Sequence, residues 1–148
     1  MHQNYIVADP WSIVEEGFVR ERFKSSESLF SIGNGAMGQR ANFEEFYSGP
    51  SFQGSYIGGV YYPDKTKVGW WKNGYPEYFA KVLNAPSWIG INFYVNGELF
   101  DLNTCLKVDK FRRELNMKSG YLSRSFKCIT WQGIAPVSYT HLTLPTKA

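Results

Sequence analysis

Tyr121-Leu122-Ser123-Arg124-Ser125-Phe126-Lys127-Cys128 alternates with a two-residue period, with Leu122, Arg124, Phe126 and Cys128 in one phase and Tyr121, Ser123, Ser125 and Lys127 in the other. Successive side chains of an extended chain point to opposite sides, so this period marks a strand with one covered face. Lys107 to Met117 supplies a matching arm upstream, and Lys118-Ser119-Gly120 lies between the arms as a turn. An antiparallel hairpin from Lys107 to Trp131 is therefore expected. A second hairpin signal precedes it. Ile91-Asn92-Phe93-Tyr94-Val95 and Glu98-Leu99-Phe100 flank Asn96-Gly97, a pair that favours the left-handed backbone of a type I′ turn.

Working outward, Tyr5-Ile6-Val7, Trp11-Ser12-Ile13-Val14, Ser28 to Ile32, Gln53 to Tyr62 and Tyr78 to Leu83 also read as strands. Gly58-Gly59 inside the fourth of these predicts a bulge or a close backbone approach. The polar run Glu15 to Ser26 has room for a short helix at most. There is no internal repeat and no low-complexity linker. These elements describe an all-β, antiparallel protein.

Composition agrees. Aromatics are 18% of the 148 residues, with 14 Gly and 7 Pro, a balance that favours many short strands over helices. The net charge of +3 is carried by scattered lysines (Lys65, Lys67, Lys72, Lys81) rather than a dense basic run, which argues against nucleic-acid or membrane partners. Cys105 and Cys128 are too few for a disulfide scaffold and are expected as buried thiols. Met1 to Tyr5 has neither a basic nor an apolar leader segment, and no run approaches a membrane span, so a cytoplasmic location is expected.

Seven aromatics, two glycines and two prolines crowd the stretch from Tyr61 to Phe79. Pro and Gly at that density break both helix and strand, which predicts a shaped loop. Trp70, Trp71, Lys72, Asn73 and Tyr75 form its candidate substrate-binding group: flat apolar faces with hydrogen-bond donors beside them suit a sugar or a neighbouring domain. The alternative is that the loop packs on its own domain. Gly33-x-Gly35-x-x-Gly38 matches a dinucleotide fingerprint only in spelling, because Gln39 to Gly49 is too short and polar for the helix that must follow. A glycine turn between strands is the better reading. The adjacent pairs Glu15-Glu16 and Glu44-Glu45 point to opposite faces of an extended chain and are expected as solvated acids. Arg40 is expected in a structural salt bridge. His2 sits at the terminus, and no catalytic triad or metal site can be assembled, so no catalytic and no metal-binding residue is expected in this chain.

Asp9-Pro10-Trp11, Ser31-Ile32-Gly33-Asn34-Gly35-Ala36-Met37-Gly38-Gln39-Arg40, Trp70-Trp71-Lys72-Asn73-Gly74-Tyr75-Pro76 and Arg124-Ser125-Phe126 together resemble the N-terminal domain of the maltose phosphorylases. These belong to glycoside hydrolase family 65, with trehalose and kojibiose phosphorylases as relatives. The resemblance runs from about Tyr5 to about Trp131. It implies an incomplete antiparallel β-sandwich of the super-sandwich, galactose-mutarotase-like kind, lacking the (α/α)6 catalytic barrel. The parent reaction it implies is maltose plus inorganic phosphate to β-glucose 1-phosphate plus glucose, with inversion. The implied partners are the barrel of the same chain, the disaccharide and a second subunit of a homodimer. No cofactor is implied beyond phosphate as co-substrate, and the catalytic acid and phosphate ligands fall outside this chain.

Val137-Ser138-Tyr139-Thr140-His141-Leu142-Thr143-Leu144-Pro145-Thr146 reads like a translated sequencing adapter. The expected organisation is a partial β domain over residues 1–132 and a non-native tail over 133–148 that is poorly packed or only opportunistically docked.

Overall fold

The computed structural model describes residues 5–8, 10–66, 76–134 and 136–143. In chain order its elements are β1 (Ile6–Ala8), β2 (Ser12–Glu16), a 3-10 turn (Arg20–Arg22), α1 (Phe23–Leu29), β3 (Ile32–Gly33), β4 (Met37–Gln39), β5 (Ser55–Ile57) and β6 (Tyr61–Lys65). They continue as β7 (Tyr78–Val82), β8 (Tyr94–Val95), β9 (Glu98–Leu99), a 3-10 turn (Leu102–Thr104), β10 (Lys107–Asn116), β11 (Tyr121–Ile129) and β12 (Val137–Thr143). The main sheet has the order β1-β2-β10-β11-β12, a smaller sheet is β3-β4-β5, and β6-β7 and β8-β9 are two-stranded ribbons. Every pairing between these strands is antiparallel, and the one isolated bridge among the described residues, Glu45 to Ile91, is parallel.

The β10–β11 hairpin is the spine of the molecule. Its turn is held by the Ser119 N–H donating to Asn116 Oδ1 at 2.9 Å, with Gly120 at φ 65°. Asn96 (φ 50°) and Gly97 (φ 83°) form the expected left-handed turn between β8 and β9. The two-residue period of β11 holds throughout: Leu122, Arg124, Phe126 and Cys128 are buried. On β10 the covered residues are Phe111, Arg113 and Leu115. The β10–β11 register shifts between Asp109 and Arg112, where Lys110 adopts φ 51°. This bulge keeps Phe111 on the covered face, stacked with Phe126 at 6.5 Å.

The cover is a helix and an extended run. Phe23 from α1 meets Phe43 at 4.3 Å and Tyr47 at 4.7 Å, and these three join Phe100, Leu102, Phe111, Phe126 and Cys128 in one cluster. Phe30, Ala41, Leu115 and Leu122 form a second, with Ile6 and Ile13 against it. Gly49 is required by this packing: a Cβ there would lie 2.4 Å from the buried Tyr47 ring.

Several expectations need correcting. Ser28 to Ile32 is not one strand, because Ser28 and Leu29 close α1 and only Ile32–Gly33 is extended. Phe23, Ser26, Glu27 and Phe30 are buried at helical spacing, and that gain outweighs the short alternation. Gln53 to Tyr62 is two strands in different sheets, with Gly58-Gly59 as the turn between them; of the two expectations for this pair the bulge fails and the close backbone approach holds, since a Cβ on Gly58 would lie 3.2 Å from the Ala36 carbonyl oxygen. The Gly58 N–H bonds to the Ala36 carbonyl at 2.7 Å, and Gly59 takes φ 81°. Gly35, at φ 86°, turns β3 into β4, and a strand rather than a helix follows the glycine block.

The stretch read as a tail has a place in the fold. β12 runs along the edge of the main sheet, from Val137 opposite Lys127 to Thr143 opposite Tyr121.

Candidate functional site

The covered face of the main sheet carries a row of charge. Glu15, Arg113 and Arg124 stand on one rung across β2, β10 and β11. All three are buried, with Arg113 only 1% exposed. Arg113 Nε lies 3.4 Å from Glu15 Oε2, and its Nη1 donates to the Ala41 carbonyl at 3.2 Å. Ser26 Oγ donates to Glu15 Oε1 at 2.6 Å. The guanidinium of Arg113 is ringed by Phe23, Phe30, Phe43 and Phe111, each centroid 5.4–5.5 Å away. Arg124 donates to both oxygens of Glu45 and to Glu44 Oε2 at 2.6 Å, and it lies 4.1 Å from the Phe43 centroid. Aromatic faces and paired carboxylates each offset part of the dehydration of a guanidinium.

The two arginines respond differently to burial. Dehydration pulls Arg113 down to about 10, with Glu15 opposing it, so it remains charged at neutral pH. Dehydration also acts against Arg124, but the charges and hydrogen bonds of Glu45 and Glu44 outweigh it and hold that group above its ordinary value. Glu45 accepts from Arg124 on both oxygens, whereas Glu15 accepts from Ser26 on Oε1 and meets Arg113 through charge alone, its Oε2 having no hydrogen-bond partner among the described residues. They serve as counter-ions, which corrects the expectation that Glu15-Glu16 and Glu44-Glu45 are solvated acids: Glu15 and Glu45 are buried, and only Glu16 is exposed. Arg40 forms no ion pair among the described residues; it donates to Ser28 Oγ at 2.7 Å.

The second feature is a bare ribbon. Register places Tyr61, Pro63, Tyr78, Ala80 and Val82 on one face of β6-β7 and Tyr62, Asp64, Phe79 and Lys81 on the other. Every residue of β7 is exposed, and Tyr61 and Val82 are each 60% exposed. Lys81 pairs with Asp64 at 3.6 Å across the strands. Pairing continues to the ribbon's end, where the Thr66 N–H bonds to the Glu77 carbonyl at 2.9 Å and its hydroxyl donates to the Pro76 carbonyl at 2.6 Å. Trp70, Trp71, Lys72, Asn73 and Tyr75 lie outside the described residues, in the segment that joins these two ends. At the ribbon's root, a polar cleft of ≈ 180 Å³ is lined by Asn42, Gln53, Ser55, Asn84 and Ser87 among others.

Sequence reasoning missed the buried charge row. A signal was present, since Arg124 shares the buried phase of β11 with Leu122, Phe126 and Cys128, and a cation in that phase requires a buried counter-ion.

The family model described as "Glycosyl hydrolase family 65, N-terminal domain" matches residues 13–143. The chain belongs to this family. Maltose phosphorylase of Bacillus subtilis (strain 168) is 54% identical over 125 residues, covering 84% of this chain and 16% of that protein. The α,α-trehalose phosphorylase of Thermoanaerobacter brockii is 37% identical over 126 residues, covering 80% of this chain and 16% of that protein. A solved structure titled "Putative kojibiose phosphorylase from human microbiome" superposes with a TM-score of 0.75 at 32% identity, covering 91% of this chain and 18% of that one. The chain therefore spans about a sixth of the length of these relatives. Its family match passes through β11 and ends with β12, beyond the Gln132 boundary expected from sequence.

Proposed function

We propose that this chain is the N-terminal β domain of a cytoplasmic maltose phosphorylase, and that it serves the parent enzyme by bracing the (α/α)6 barrel rather than by supplying catalytic groups. The observation that carries the reading is the gap between 54% identity to a maltose phosphorylase and 37% to a trehalose phosphorylase over almost the same span. The parent reaction is then phosphorolysis of maltose to β-glucose 1-phosphate and glucose. A carboxylic acid outside this chain protonates the leaving oxygen, and phosphate attacks from the opposite face. The exposed aromatics of β6-β7 support the bracing role, because apolar area of this kind on a soluble protein marks a contact surface.

Within that reading, Trp70, Trp71, Lys72, Asn73 and Tyr75 meet the barrel near the mouth of the sugar pocket. The experiment joins residues 1–132 of this chain to the remainder of the Bacillus subtilis maltose phosphorylase and follows release of β-glucose 1-phosphate from maltose, trehalose and kojibiose. Activity on maltose is expected, with Trp71→Ala or Lys72→Ala lowering kcat/KM at least about tenfold, or about 1.4 kcal/mol. Unchanged kcat/KM in folded variants removes the loop from the pocket. A folded but inactive chimera removes the maltose assignment.

A second reading, a free-standing carbohydrate-binding module, is favoured by the polar cleft beside Asn84 and Ser87. It requires that the 148-residue chain alone bind maltose, which calorimetry decides.

A further inference from the structure

The β8–β9 ribbon ends in an Asn-Gly pair whose surroundings differ from those of a second such pair. Asn96 and Gly97 form the turn between Tyr94–Val95 and Glu98–Leu99, and both are exposed. The Asn96 carboxamide and the Gly97 N–H make no hydrogen bond among the described residues. The ribbon stands outside the larger sheets and has two rungs, Tyr94 with Leu99 and Val95 with Glu98. One further bond, from the Phe100 N–H to the Phe93 carbonyl at 2.9 Å, closes its base. A hairpin this short is marginal by itself and opens locally. Asn34-Gly35 is held differently. Asn34 Oδ1 accepts from the Ala36 N–H at 3.0 Å and from the Met37 N–H at 2.8 Å, and the Asn34 N–H bonds to the Met37 carbonyl at 3.1 Å. That turn joins two strands of the three-stranded sheet.

An asparagine followed by glycine can lose its amide to its own backbone. Glycine has no side chain to crowd the attacking nitrogen. The reaction needs the carboxamide carbon to swing onto the next backbone nitrogen, and that nitrogen to shed its proton to water. Asn96 and Gly97 meet no obstacle to either movement, because neither group is engaged and both are in solvent. At Asn34 two hydrogen bonds pin the carboxamide over Ala36 and Met37 and must break first.

We propose that Asn96 is a self-modification site, converted to aspartate and isoaspartate in the folded chain while Asn34 is protected, and that the isoaspartyl product loosens the β8–β9 turn. In the first step the Gly97 nitrogen attacks Asn96 Cγ. An N–Cγ bond forms, the Cγ–Nδ2 bond breaks, and Nδ2 leaves as ammonia with the proton that Gly97 gave up. The product is a five-membered cyclic imide. In the second step water adds to one imide carbonyl and its bond to the Gly97 nitrogen breaks. Opening at Cγ gives aspartate; opening at the main-chain carbonyl gives isoaspartate. One water is consumed, one ammonia is released, and nothing is oxidised or reduced. In isoaspartate the main chain runs through Cβ and Cγ, so the turn gains a backbone atom and no longer fits the two-residue left-handed geometry. The turn also holds Phe93 stacked on Phe100 at 4.3 Å, against the larger core cluster, so its loosening frees one edge of that cluster.

The test ages the folded 148-residue chain in mildly alkaline buffer, reading charge by isoelectric focusing and position by peptide mapping, with Asn34, Asn73 and Asn96 on separate peptides. An acidic species is expected, one unit below the starting net charge of +3. Conversion at Asn96 should be at least about tenfold faster than at Asn34, the factor that two hydrogen bonds of ordinary strength supply. In denaturing urea the two rates should converge, because both asparagines precede glycine and the hydrogen bonds are gone. Ageing is also expected to lower the Tm of the wild type and not that of Asn96→Gly, since Gly-Gly suits the same turn and carries no carboxamide. Equal rates at Asn34 and Asn96 in the folded chain, faster conversion at Asn34, or an equal fall in Tm for aged Asn96→Gly would each overturn the proposal. The wild-type map decides the site even if that variant fails to fold.

Discussion

Arg113 and Arg124 face each other directly across the β10–β11 ladder, a like-charge pair on the covered side of the sheet. Opposed like charges ordinarily weaken a sheet. Here each turns to its own acids, Arg113 to Glu15 on the adjacent strand and Arg124 to Glu44 and Glu45 on the covering run. Phe43 lies against both guanidiniums.

Removing one cation from this row strands its acids. Arg124→Ala is expected to lower unfolding free energy by about 3–5 kcal/mol, the usual effect of breaking a buried pair. Adding Glu44→Gln and Glu45→Gln to Arg124→Met should restore part of that loss, since no buried charge is then left alone. Urea unfolding of the single and combined variants checks this; additive losses would contradict it.

Tyr47 is buried, and its hydroxyl has no hydrogen-bond partner among the described residues. Tyr47→Phe is therefore expected to be neutral or to stabilise by up to about 1 kcal/mol. Burial, more than its neighbours, raises the pKa of this phenol above the ordinary 10.0. Below that value the phenol is neutral in both states. As pH rises past it, the unfolded chain releases this proton first, so folding loses stability at alkaline pH. The difference in Tm between Tyr47→Phe and the wild type should widen between pH 9 and about 11.

Backbone strain separates two left-handed positions. Lys110 holds φ 51° with a Cβ, and Lys110→Gly is expected to gain up to about 1 kcal/mol. Gly97 holds φ 83° in the β8–β9 turn, and Gly97→Ala is expected to lose about 1 kcal/mol. Thermal unfolding with matched controls reads both signs.

A chain ending at Gln132 tests the origin of the last strand. The adapter reading predicts a loss of less than about 2 kcal/mol, because such a tail was never selected for burial. Loss of β12 also uncovers the edge of β11, so light scattering should show increased association. A larger loss would make Val137–Thr143 an integral strand.

The ribbon predicts the opposite separation. Tyr61→Ser with Val82→Ser should leave Tm within the small range of surface changes, about 0.5 kcal/mol, because both side chains are exposed. Association at high concentration should fall. A drop in Tm with no change in association would show that the ribbon packs at home.

Legibility in the sequence followed the range of the interactions. The two hairpins could be read because their signals are local: Asn96-Gly97 needs only its own backbone preference, and the β11 period needs only eight adjacent residues. Cys105 and Cys128 were read as buried thiols for the same reason, by residue type alone. Ser28 and Leu29 were misread as strand because two or three alternating residues fit either period, and the buried face that decides between them begins at Phe23. Glu45 was misread as solvated because its partner, Arg124, lies far along the chain, and exposure statistics for a lone acid carry no information about a distant cation.

That separation between partners has a consequence for synthesis. Glu15, α1 and the run carrying Glu44 and Glu45 leave the ribosome well before Arg113 and Arg124, yet those arginines supply their neutralising charge and the sheet they cover. Until β11 has emerged, Glu15 and Glu45 lack their arginines, and Phe23, Phe43 and Tyr47 have one another but not the sheet to pack on. The native burial of those segments is therefore complete only after β11 has been made, which places the closing of this core late in synthesis.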